Sequence, residues 1–531
     1  ECRQSTFSEV LFFELSTKGQ KKAVLFIRGY ILTPNSLIHC NWVRRMITKK
    51  SQEARKHIQM IDLESLVPEK HILRKIDEII DFEFIREIVK EHYSEDKGRP
   101  SIDPVALIKI VFIQFLFGIK SMRQTIKEIE VNVAYRWFLG YGFTETIPHF
   151  STFGKNYVRR FANNDVFEQI FKQLLRLLIE NGLIKEHTYF VDSTHIKAYA
   201  NKRNVHNEYL DEDYNLYTEN LHREINELRK QENKKEIDFS HQKKVAVSNV
   251  DPDCGMFHKG EKEKQLAYSV QTAVDENGYV IDCQTVSGST NDNQSGSGFV
   301  DRLTDEHPGT KAVVMDAGYT SPVLLDILLS KGVQPVVPYQ KPKGRKRETL
   351  TNTDDPFYYS KSYFQYQEKE DYYLCPWLKK LTYRGLNIQG YRVYMTSKKD
   401  CMTCPYKSKC TNQNTKTLTR HLLEYTKKNV REFRLSDAGK ELYAKRKYTI
   451  ERTFAQAKMS HCLGFTLVRG LKKNQDRNLI LYTVANLKKL ALFVMKTNKV
   501  LAKLSVTFSA FILEIFKKTR KNTKMTFSLF H

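Results

Sequence analysis

The sequence predicts an α/β domain that is preceded by an all-helical region and that carries a separate segment rich in cysteine and tyrosine. Three observations predict this architecture. Apolar residues recur at helical spacing from residue 61 to about residue 161, apolar runs typical of strands follow between 187 and 339, and tyrosine, phenylalanine and cysteine become frequent from 341 to about 425. A chain of 531 residues is long enough for two to four domains.

The helical region begins with residues 73–93, where apolar side chains recur every three or four positions. Asp103 is expected to cap the next helix, roughly 104–118. That helix is apolar on nearly all sides, so we expect it to be central, and it is too short for a membrane span. Two short helices are predicted to follow, in SMRQTIKEIE and VNVAYRWFLG.

The last helix of this region is predicted to be capped by Ser151. It carries a set of polar and basic side chains, which are Lys155, Asn156, Arg159 and Arg160. Short helices followed by a basic helix are typical of a helix-turn-helix-like reader of DNA. On spacing alone, an ordinary helical bundle with a solvated basic face explains the pattern equally well.

Five strands are predicted in the α/β domain. The first covers 187–194, and residues 266–288 are typical of a hairpin that turns at 276–278. Residues 311–318 and 332–339 each contain an apolar run, so we expect two central parallel strands joined by a crossover helix. The helices predicted around these strands are 166–180, 292–305 and 321–330.

Positive charge is in large excess, with 86 Lys and Arg against 61 Asp and Glu and a net charge of +25. This excess favours a polyanionic partner, because basic side chains that neutralise phosphates release counterions. The most highly charged stretch, 203–248, lacks a sustained apolar pattern. We expect it to be an arm or insertion near DNA, although a solvated surface segment is an equal alternative.

Three acidic residues stand out as candidates for catalysis. Asp192 in YFVDSTHIKA and Asp316 in KAVVMDAGYTS end apolar runs, and Glu451 in RKYTIERTFAQAK lies in a basic, helical stretch. Carboxylates from three segments that meet in the fold would suit Mg²⁺, which prefers oxygen ligands. The structural alternatives are turn hydrogen bonds for the aspartates and a favourable first-turn position for the glutamate.

Nearby polar residues are assigned structural roles. His195 follows Asp192 by three residues and is expected to support the strand. Asp275 and Asp292 are expected to stabilise turns rather than to bind a metal.

Four of the nine cysteines lie close together in sequence, and they are Cys375, Cys401, Cys404 and Cys410. Cys401 and Cys404 are separated by two residues, which is the spacing of a zinc knuckle. A four-thiolate Zn²⁺ site would stiffen a segment that lacks a large core. Packed, reduced thiols without a metal are the alternative.

The two ends of the chain are harder to interpret. Residues 1–45 show little that connects them to the rest, so they are either an extension before a natural start at Met46 or a genuine small element. No convincing signal peptide is found there. Residues 496–531 are predicted to form a basic tail.

Several motifs, in order, resemble those of one protein family. They are GRPSIDPVALIKI, SMRQTIKEIEVNVAYRWFLG, FSTFGKNYVRRF, VDSTHIKA, DPDCGMFHKG, AYSVQTAVD, VVMDAGYTS and YTIERTFAQAK. Together they resemble the DDE transposases of bacterial insertion sequences, and in particular the group around insertion sequence 1182. The resemblance spans about residues 46–490. It implies an RNase H-like catalytic domain of mixed sheet and flanking helices, with an all-α DNA-binding domain before it and the Cys/Tyr-rich segment inserted into it.

The resemblance also implies a reaction. Asp192, Asp316 and Glu451 would be the three catalytic acids and would hold two Mg²⁺ or Mn²⁺ ions. Water would cut the DNA at the element's ends, and the freed 3′-hydroxyl would then attack target DNA. An inactive DNA-binding protein derived from a transposase, or an RNase H-like nuclease, are the competing interpretations.

The family's late helix carries residues that hold DNA phosphates. Lys458, Lys447 and Arg446 are the corresponding basic residues here. Lys458 follows Glu451 by two helical turns and is expected to share a face with it, and Lys447, four residues before Glu451, is expected to continue that face. In related transposases an arginine stands at the position of Lys447, three residues after a tyrosine, whereas here the adjacent arginine is Arg446 and Tyr443 lies four residues before Lys447. The partners implied are double-stranded DNA, namely terminal inverted repeats and target, and a second copy in a dimer or larger synaptic complex. The location implied is cytoplasmic and nucleoid-associated.

These expectations give domain boundaries. They are 1–45 for the uncertain extension, 46–165 for the DNA-binding domain, 166–340 and 431–495 for the two parts of the catalytic domain, 341–430 for the insertion and 496–531 for the tail.

Overall fold

The chain divides into two compact units, Glu1–Asp62 and Leu63–His531. The structure is a computed structural model, and the residues that it describes are 2–7, 10–17, 20–27, 30–33, 36–39, 58, 60–94, 101–211, 216–239, 242–259, 263–290, 292–338, 359–387 and 390–497. The predicted tail lies outside these residues from 498 onward.

In the first unit, an antiparallel sheet follows chain order through β1 (Cys2–Phe7), β2 (Val10–Thr17), β3 (Gln20–Ile27), β4 (Tyr30–Thr33) and β5 (Ser36–His39).

The second unit opens with a helical region, as predicted. Its helices are α1 (Leu63–Leu66), α2 (Ile72–Ile79), α3 (Phe84–Val89), α4 (Pro104–Leu116), α5 (Met122–Val131), α6 (Val133–Leu139), α7 (Ser151–Asn156), which continues into a π-helical turn (Tyr157–Phe161), and α8 (Val166–Glu180).

The two predicted caps of this region have opposite outcomes. Oδ1 of Asp103 accepts a 3.0 Å hydrogen bond from the backbone N–H of Val105, so Asp103 caps α4 as predicted. The prediction for Ser151 is wrong, because Ser151 is the first residue of α7 and its N–H donates to Nδ1 of His149 at 3.3 Å. The imidazole of His149 therefore accepts the first backbone N–H of α7, and Ser151 lies inside the helix.

The main sheet contains eight strands in the order β13-β12-β6-β10-β9-β8-β7, with β11 paired to β10. The strands are β6 (Thr188–Lys197), β7 (Val205–Asp211), β8 (Gln242–Ser248), β9 (Gly255–Lys259), β10 (Glu263–Val274), β11 (Val280–Ser287), β12 (Ala312–Met315) and β13 (Gln334–Val336). The helices between them are α9 (Leu216–Gln231), α10 (Asp292–Glu306) and α11 (Pro322–Ser330).

The predicted hairpin and the predicted parallel pairing of β12 with β13 are confirmed, but the expectation that both strands are central is wrong for β13, which is the edge strand of the described sheet. β10 and β11 form the antiparallel hairpin, and Gly278 takes the left-handed conformation (φ +74°) in its turn. β12 is parallel to both β13 and β6. One further detail is corrected: β6 extends beyond the predicted 187–194 to Lys197, because residues 190–197 pair with β10.

The charged segment 203–248 is part of the main sheet. β7 and β8 pair with each other and extend the sheet beyond β9. The helix between these two strands is α9. The segment is therefore a strand–helix–strand extension of the sheet edge rather than a separate arm.

A long C-terminal helix, α16 (Leu471–Thr497), packs against α8, β11, α2 and α4. Asn486 of α16 accepts from the N–H of Val280 at 2.9 Å and donates to its carbonyl at 2.8 Å, so the helix satisfies the free edge of β11. By length and composition this helix could cross a membrane, but 61% of its apolar window is buried inside the protein, as expected for a core helix.

A second sheet lies between β13 and the C-terminal helices. It is an antiparallel meander of β14 (Gln365–Gln367), β15 (Tyr372–Leu374), β16 (Lys380–Leu386), β17 (Arg392–Met395) and β18 (Thr417–Arg420). Helix α12 (Lys398–Met402) lies between β17 and β18, and α13 (Glu424–Leu435), α14 (Asp437–Ala444) and α15 (Ile450–Ser460) follow. The aromatic and β-branched residues of this segment are of the types that favour strands.

Candidate active site

The register of the main sheet brings Asp192 and Asp316 side by side. Val191 of β6 pairs with Met315 of β12 in a parallel ladder, and the next residue on each strand is the aspartate. Neighbouring strands lie about 4.8 Å apart. Two residues that are 124 positions apart in sequence (316 − 192) therefore share one edge of the sheet.

The side chain of Arg446 bridges these two carboxylates. Its Nη2 donates to Oδ2 of Asp192 at 2.6 Å, and its Nη1 donates to Oδ1 of Asp316 at 3.0 Å. The Arg446 side chain is 6% exposed, against 19% for Asp192 and 50% for Asp316. Burial alone lowers the pKa of Arg446, but the charges of Asp192 and Asp316 outweigh it and raise the pKa above its ordinary value.

Two further contacts hold this bridge in place. Oδ1 of Asp192 accepts a 2.8 Å hydrogen bond from the N–H of Ser193. Nη1 of Arg446 also lies 3.4 Å from the hydroxyl of Tyr443, whose ring packs under the guanidinium of Arg434 at 4.2 Å. Nε of Arg446 is buried and makes no hydrogen bond within the described structure.

Glu451 lies in the first turn of α15, and its side chain is exposed. A 3₁₀ turn (Lys445–Tyr448) precedes this helix, and Thr449 between them has non-helical angles (φ −104°, ψ −93°). The expectation that Lys447 continues the helical face of Glu451 is therefore wrong. Lys458 lies on α15 two turns after Glu451, so these two share a face as predicted.

The same break explains why Arg446 lies five residues before Glu451, whereas the arginine of related transposases stands four residues before the glutamate. Arg446 follows Tyr443 by three residues, and the two side chains are in contact. The extra residue therefore lies after Arg446, where the 3₁₀ turn ends. Arg446 was assigned to DNA phosphates, but in this structure its guanidinium is occupied by the two aspartates.

The donor chemistry at this edge suits a hard cation. Carboxylate oxygens of Asp192 and Asp316 converge on one positive group, the Arg446 guanidinium. Oxygen ligands of this kind are those that Mg²⁺ prefers. Over the described residues, no three His, Cys, Asp or Glu side chains already stand in an arrangement that could hold a metal ion.

Two family models match the chain. Residues 61–159 match one described as a transposase domain (DUF772), and residues 374–491 match one described as a transposase DDE domain. The chain belongs to the DDE transposases of insertion sequences. The second match contains Arg446, Glu451 and Lys458, whereas Asp192 and Asp316 lie outside both matches. Membership of the group around insertion sequence 1182 stays a prediction. Among curated proteins, no sequence matches the chain.

The predicted DNA-reading residues of the transposase fall into two pairs. Lys155 and Arg159 are exposed. Asn156 and Arg160 are engaged within the protein, because Arg160 donates to Oδ1 of Asn156 and its guanidinium lies 4.3 Å from the ring centroid of Tyr93. Only the first pair is well placed to meet a phosphate backbone.

The helical region is tied to the core through α16. The hydroxyl of Tyr157 donates a 2.6 Å hydrogen bond to Oδ2 of the buried Asp476. The other carboxylate oxygen of Asp476, Oδ1, accepts from Lys472. Burial raises the pKa of Asp476, while Lys472 and Tyr157 lower it.

The residues assigned to structural roles behave as expected where the structure describes them. The ring of His195 stacks on Phe257 at 3.5 Å between centroids. Asp275 closes the turn of the β10–β11 hairpin, where its Oδ1 accepts from the N–H of Tyr279 at 2.7 Å. The side chain of Asp292 lies outside the described residues.

The four clustered cysteines share one small cavity. Cys375, Cys401, Cys404 and Cys410 all line a space of about 30 Å³ beside the second sheet. All four are free thiols. Burial raises the pKa of Cys410, Lys416 lowers it, and the other three cysteines raise it further.

Proposed function

We propose that this transposase cuts DNA at the ends of its mobile element and joins the freed 3′-hydroxyl ends to target DNA. Asp192, Asp316 and Glu451 are the proposed catalytic residues. The observation that carries the proposal is the pair of carboxylates on adjacent strands, bridged by Arg446 at 2.6 and 3.0 Å. Two carboxylates built into the centre of a sheet and turned towards one cation are expected for a cation-dependent reaction.

The strand order supports an RNase H-like catalytic domain. Five of the eight strands run in the order β11-β10-β6-β12-β13, in which β6, β12 and β13 are parallel and β10 is antiparallel to β11 and β6. The second sheet then enters the chain between β13 and the helix that bears Glu451. We therefore interpret residues 341–430 as an insertion into this domain.

Divalent ions would be held by the carboxylates of Asp192, Asp316 and Glu451. Bound there, Mg²⁺ or Mn²⁺ would activate water or a 3′-hydroxyl and stabilise charge on the leaving oxygen of a phosphodiester. Asp192 is kept in place by its strand and by the N–H of Ser193. Glu451 approaches on the first turn of α15, which packs against β6.

The basic residues around the carboxylates would hold the DNA. Lys458 lies two turns from Glu451 on the same face of α15, so it is placed to contact a phosphate next to the site of cleavage. Lys447 is exposed on the preceding 3₁₀ turn and could bind a more distant phosphate. Lys155 and Arg159, in the helical region, would contact the backbone of a terminal repeat. Pairing of two ends would require a dimer or larger complex.

A cleavage and strand-transfer assay tests the proposal. It uses the full chain, DNA carrying the ends of its own element, a target duplex and Mg²⁺. We expect wild type to nick and join, and Asp192→Asn, Asp316→Asn and Glu451→Gln to bind DNA without cutting it. Asp437→Asn is the matched control, because Asp437 is exposed at the start of α14 and pairs only with Lys440 among the described ion pairs.

Each competing interpretation has its own outcome in this assay. A wild-type chain that binds the ends but never cuts, with Mg²⁺ or Mn²⁺, is a DNA-binding protein derived from a transposase. A chain that cuts but never joins ends to a target is a nuclease. Cutting that survives all three substitutions would mean that the catalytic residues are elsewhere.

A further inference from the structure

The second sheet has a very small hydrophobic core. Five residues from its strands and their flanks form the buried cluster, and they are Phe364, Tyr373, Leu381, Tyr394 and Leu418. A core of this size rarely stabilises a fold by itself, and small structural elements are often held by disulfides or a metal. The described cysteines of this segment form no disulfide.

The four thiols reach one cavity from separate parts of this segment. Cys375 follows β15, Cys401 lies in α12, and Cys404 and Cys410 lie in the loop that leads to β18. The cavity measures about 30 Å³, which is close to the volume of one water molecule in the liquid. These segments share little apolar packing. Their cysteine side chains nevertheless meet at one cavity that is small enough for a single ion.

We propose that Cys375, Cys401, Cys404 and Cys410 bind one structural Zn²⁺ ion as four thiolates. Four thiolates with a two-residue spacing in one pair are a known set for structural zinc, at Zn–S distances of about 2.3 Å. The side chains do not yet stand at that separation in the described structure. Binding therefore draws the sulfurs inward, as in sites where metal binding is coupled to folding.

The surroundings of the cavity suit a charged metal–thiolate centre. The backbone N–H of Lys379 lies 3.3 Å from Sγ of Cys375, and the hydroxyl of Thr396 lies 2.8 Å from Sγ of Cys401. Such contacts orient metal ligands and stabilise their negative charge. The lining of the cavity carries three lysines, Lys379, Lys407 and Lys416, and one carboxylate, Asp400, which pairs with Lys379 at 3.7 Å. The net positive charge that remains would balance the negative charge of a Zn²⁺ ion bound by four thiolates.

The ion would stiffen more than its own loop. Tyr383 in β16 donates to Glu232, just beyond α9, and Nη1 of Arg229 donates to the carbonyl of Leu386 at 3.0 Å. Helix α9 therefore docks on the sheet that the zinc site would hold together. This proposal does not depend on catalysis, because none of the four cysteines belongs to the carboxylate site.

The test measures metal directly in the full chain. Protein purified under reducing conditions without chelator is expected to contain one zinc per chain by elemental analysis. Exchange with Co²⁺ is expected to give the intense thiolate-to-cobalt absorption, which ions bound by carboxylates do not produce. The Cys404→Ser variant should lose most of this signal, and Cys404→His should keep metal with an altered spectrum, because three cysteines and one histidine also bind zinc.

The control variant is Cys462→Ser. Sγ of Cys462 donates to the carbonyl of Gly118 at 3.2 Å, far in sequence from the cavity, and a serine can keep that bond. It should retain full zinc and an unchanged cobalt spectrum. If Cys404→Ser fails to fold whereas Cys404→His folds with metal, the proposal is supported.

Three results would overturn the proposal. The first is a wild-type chain that contains no zinc and gives no thiolate absorption with Co²⁺. The second is a Cys404→Ser variant with the metal content and spectrum of wild type. The third is the discovery by mass spectrometry that the four cysteines are joined as disulfides in the reduced preparation. None of these results bears on whether the carboxylate site cuts DNA.

Discussion

The guanidinium of Arg446 donates a 2.6 Å hydrogen bond to Oδ2 of Asp192 and places its positive charge between the first two proposed catalytic carboxylates. Asp316 accepts from the same guanidinium at 3.0 Å. A positive side chain and a divalent ion would both be attracted to these oxygens. The arginine therefore holds the two carboxylates together, and an ion bound by the same oxygens would displace it.

Replacing Arg446 by alanine should make the protein depend on Mg²⁺ for stability. Without the guanidinium, two neighbouring carboxylates lose their partner, which we expect to cost about 1–3 kcal/mol because Asp316 is half exposed. Mg²⁺ can then occupy the vacated position. In thermal unfolding with EDTA and with Mg²⁺, the stabilisation by Mg²⁺ should be larger for Arg446→Ala than for wild type.

The control for this experiment is the double variant Arg446→Ala with Asp316→Asn, which should lose the added response to Mg²⁺. Equal stabilisation of wild type and Arg446→Ala by Mg²⁺ would show that the arginine and the ion do not compete for the same oxygens. Cleavage by Arg446→Ala should also fall, because the carboxylates lose a positioning contact while DNA binding persists.

The exposed pair Lys155 and Arg159 should contribute to DNA affinity without contributing to stability. Each phosphate contact contributes about 0.9 to the slope of log affinity against log salt. The variant Lys155→Ala with Arg159→Ala should therefore bind more weakly and show a slope reduced by about 2. Fluorescence anisotropy over a series of salt concentrations measures both quantities.

A matched variant separates binding from folding in the same helix. Arg160→Ala loses contacts to Asn156 and Tyr93, so we expect a lower unfolding temperature. If the double variant at 155 and 159 binds DNA with an unchanged salt dependence, this face of the helical region does not contact phosphates.

Asn486 should be one of the most sensitive polar residues of the core. Its side chain pairs with both the N–H and the carbonyl of Val280, so Asn486→Ala leaves two buried backbone groups without partners. We expect a loss of about 2–4 kcal/mol in the free energy of unfolding. Urea denaturation measures it, and Lys496→Ala, exposed on the same helix, should change stability by less than about 0.5 kcal/mol.

Apolar patterning explains why the centre of the sheet could be predicted. The run that became β12 is buried on both faces, so its sequence, Ala312–Met315, is continuously apolar. β7 has no such pattern, because it lies at the sheet edge and residues such as Glu208 and Tyr209 are exposed. A strand that buries little carries little periodic signal, and its pairing is decided by the strand next to it.

The candidate site shows the same division. Asp192 and Asp316 could be found because each follows buried strand residues, and the register that joins them is a consequence of that burial. The bridge by Arg446 could not be found. It depends on a 3₁₀ turn and on the backbone of Thr449, which reset the direction of the chain before α15. The three-residue spacing from Tyr443 was the one signal that pointed to Arg446 rather than Lys447.

Asp275 should give stability a specific dependence on pH. This carboxyl is fully buried at the β10–β11 turn and links it to the N–H of Lys185. Burial raises its pKa from an ordinary 3.8 to about 6, so the folded chain binds the proton more tightly than the unfolded chain does. The resulting stabilisation is complete below pH 3.8 and is lost as the pH rises through about 6. A shift of this size corresponds to about 3 kcal/mol.

Because Asp275→Asn cannot titrate, the unfolding free energy of wild type minus that of the variant should decrease from about pH 4 to pH 7 and be constant above it. The same difference for Asp437→Asn, an exposed carboxyl, should show no such decrease over this interval. A constant difference for Asp275→Asn would mean that this buried carboxyl is already ionised at pH 4.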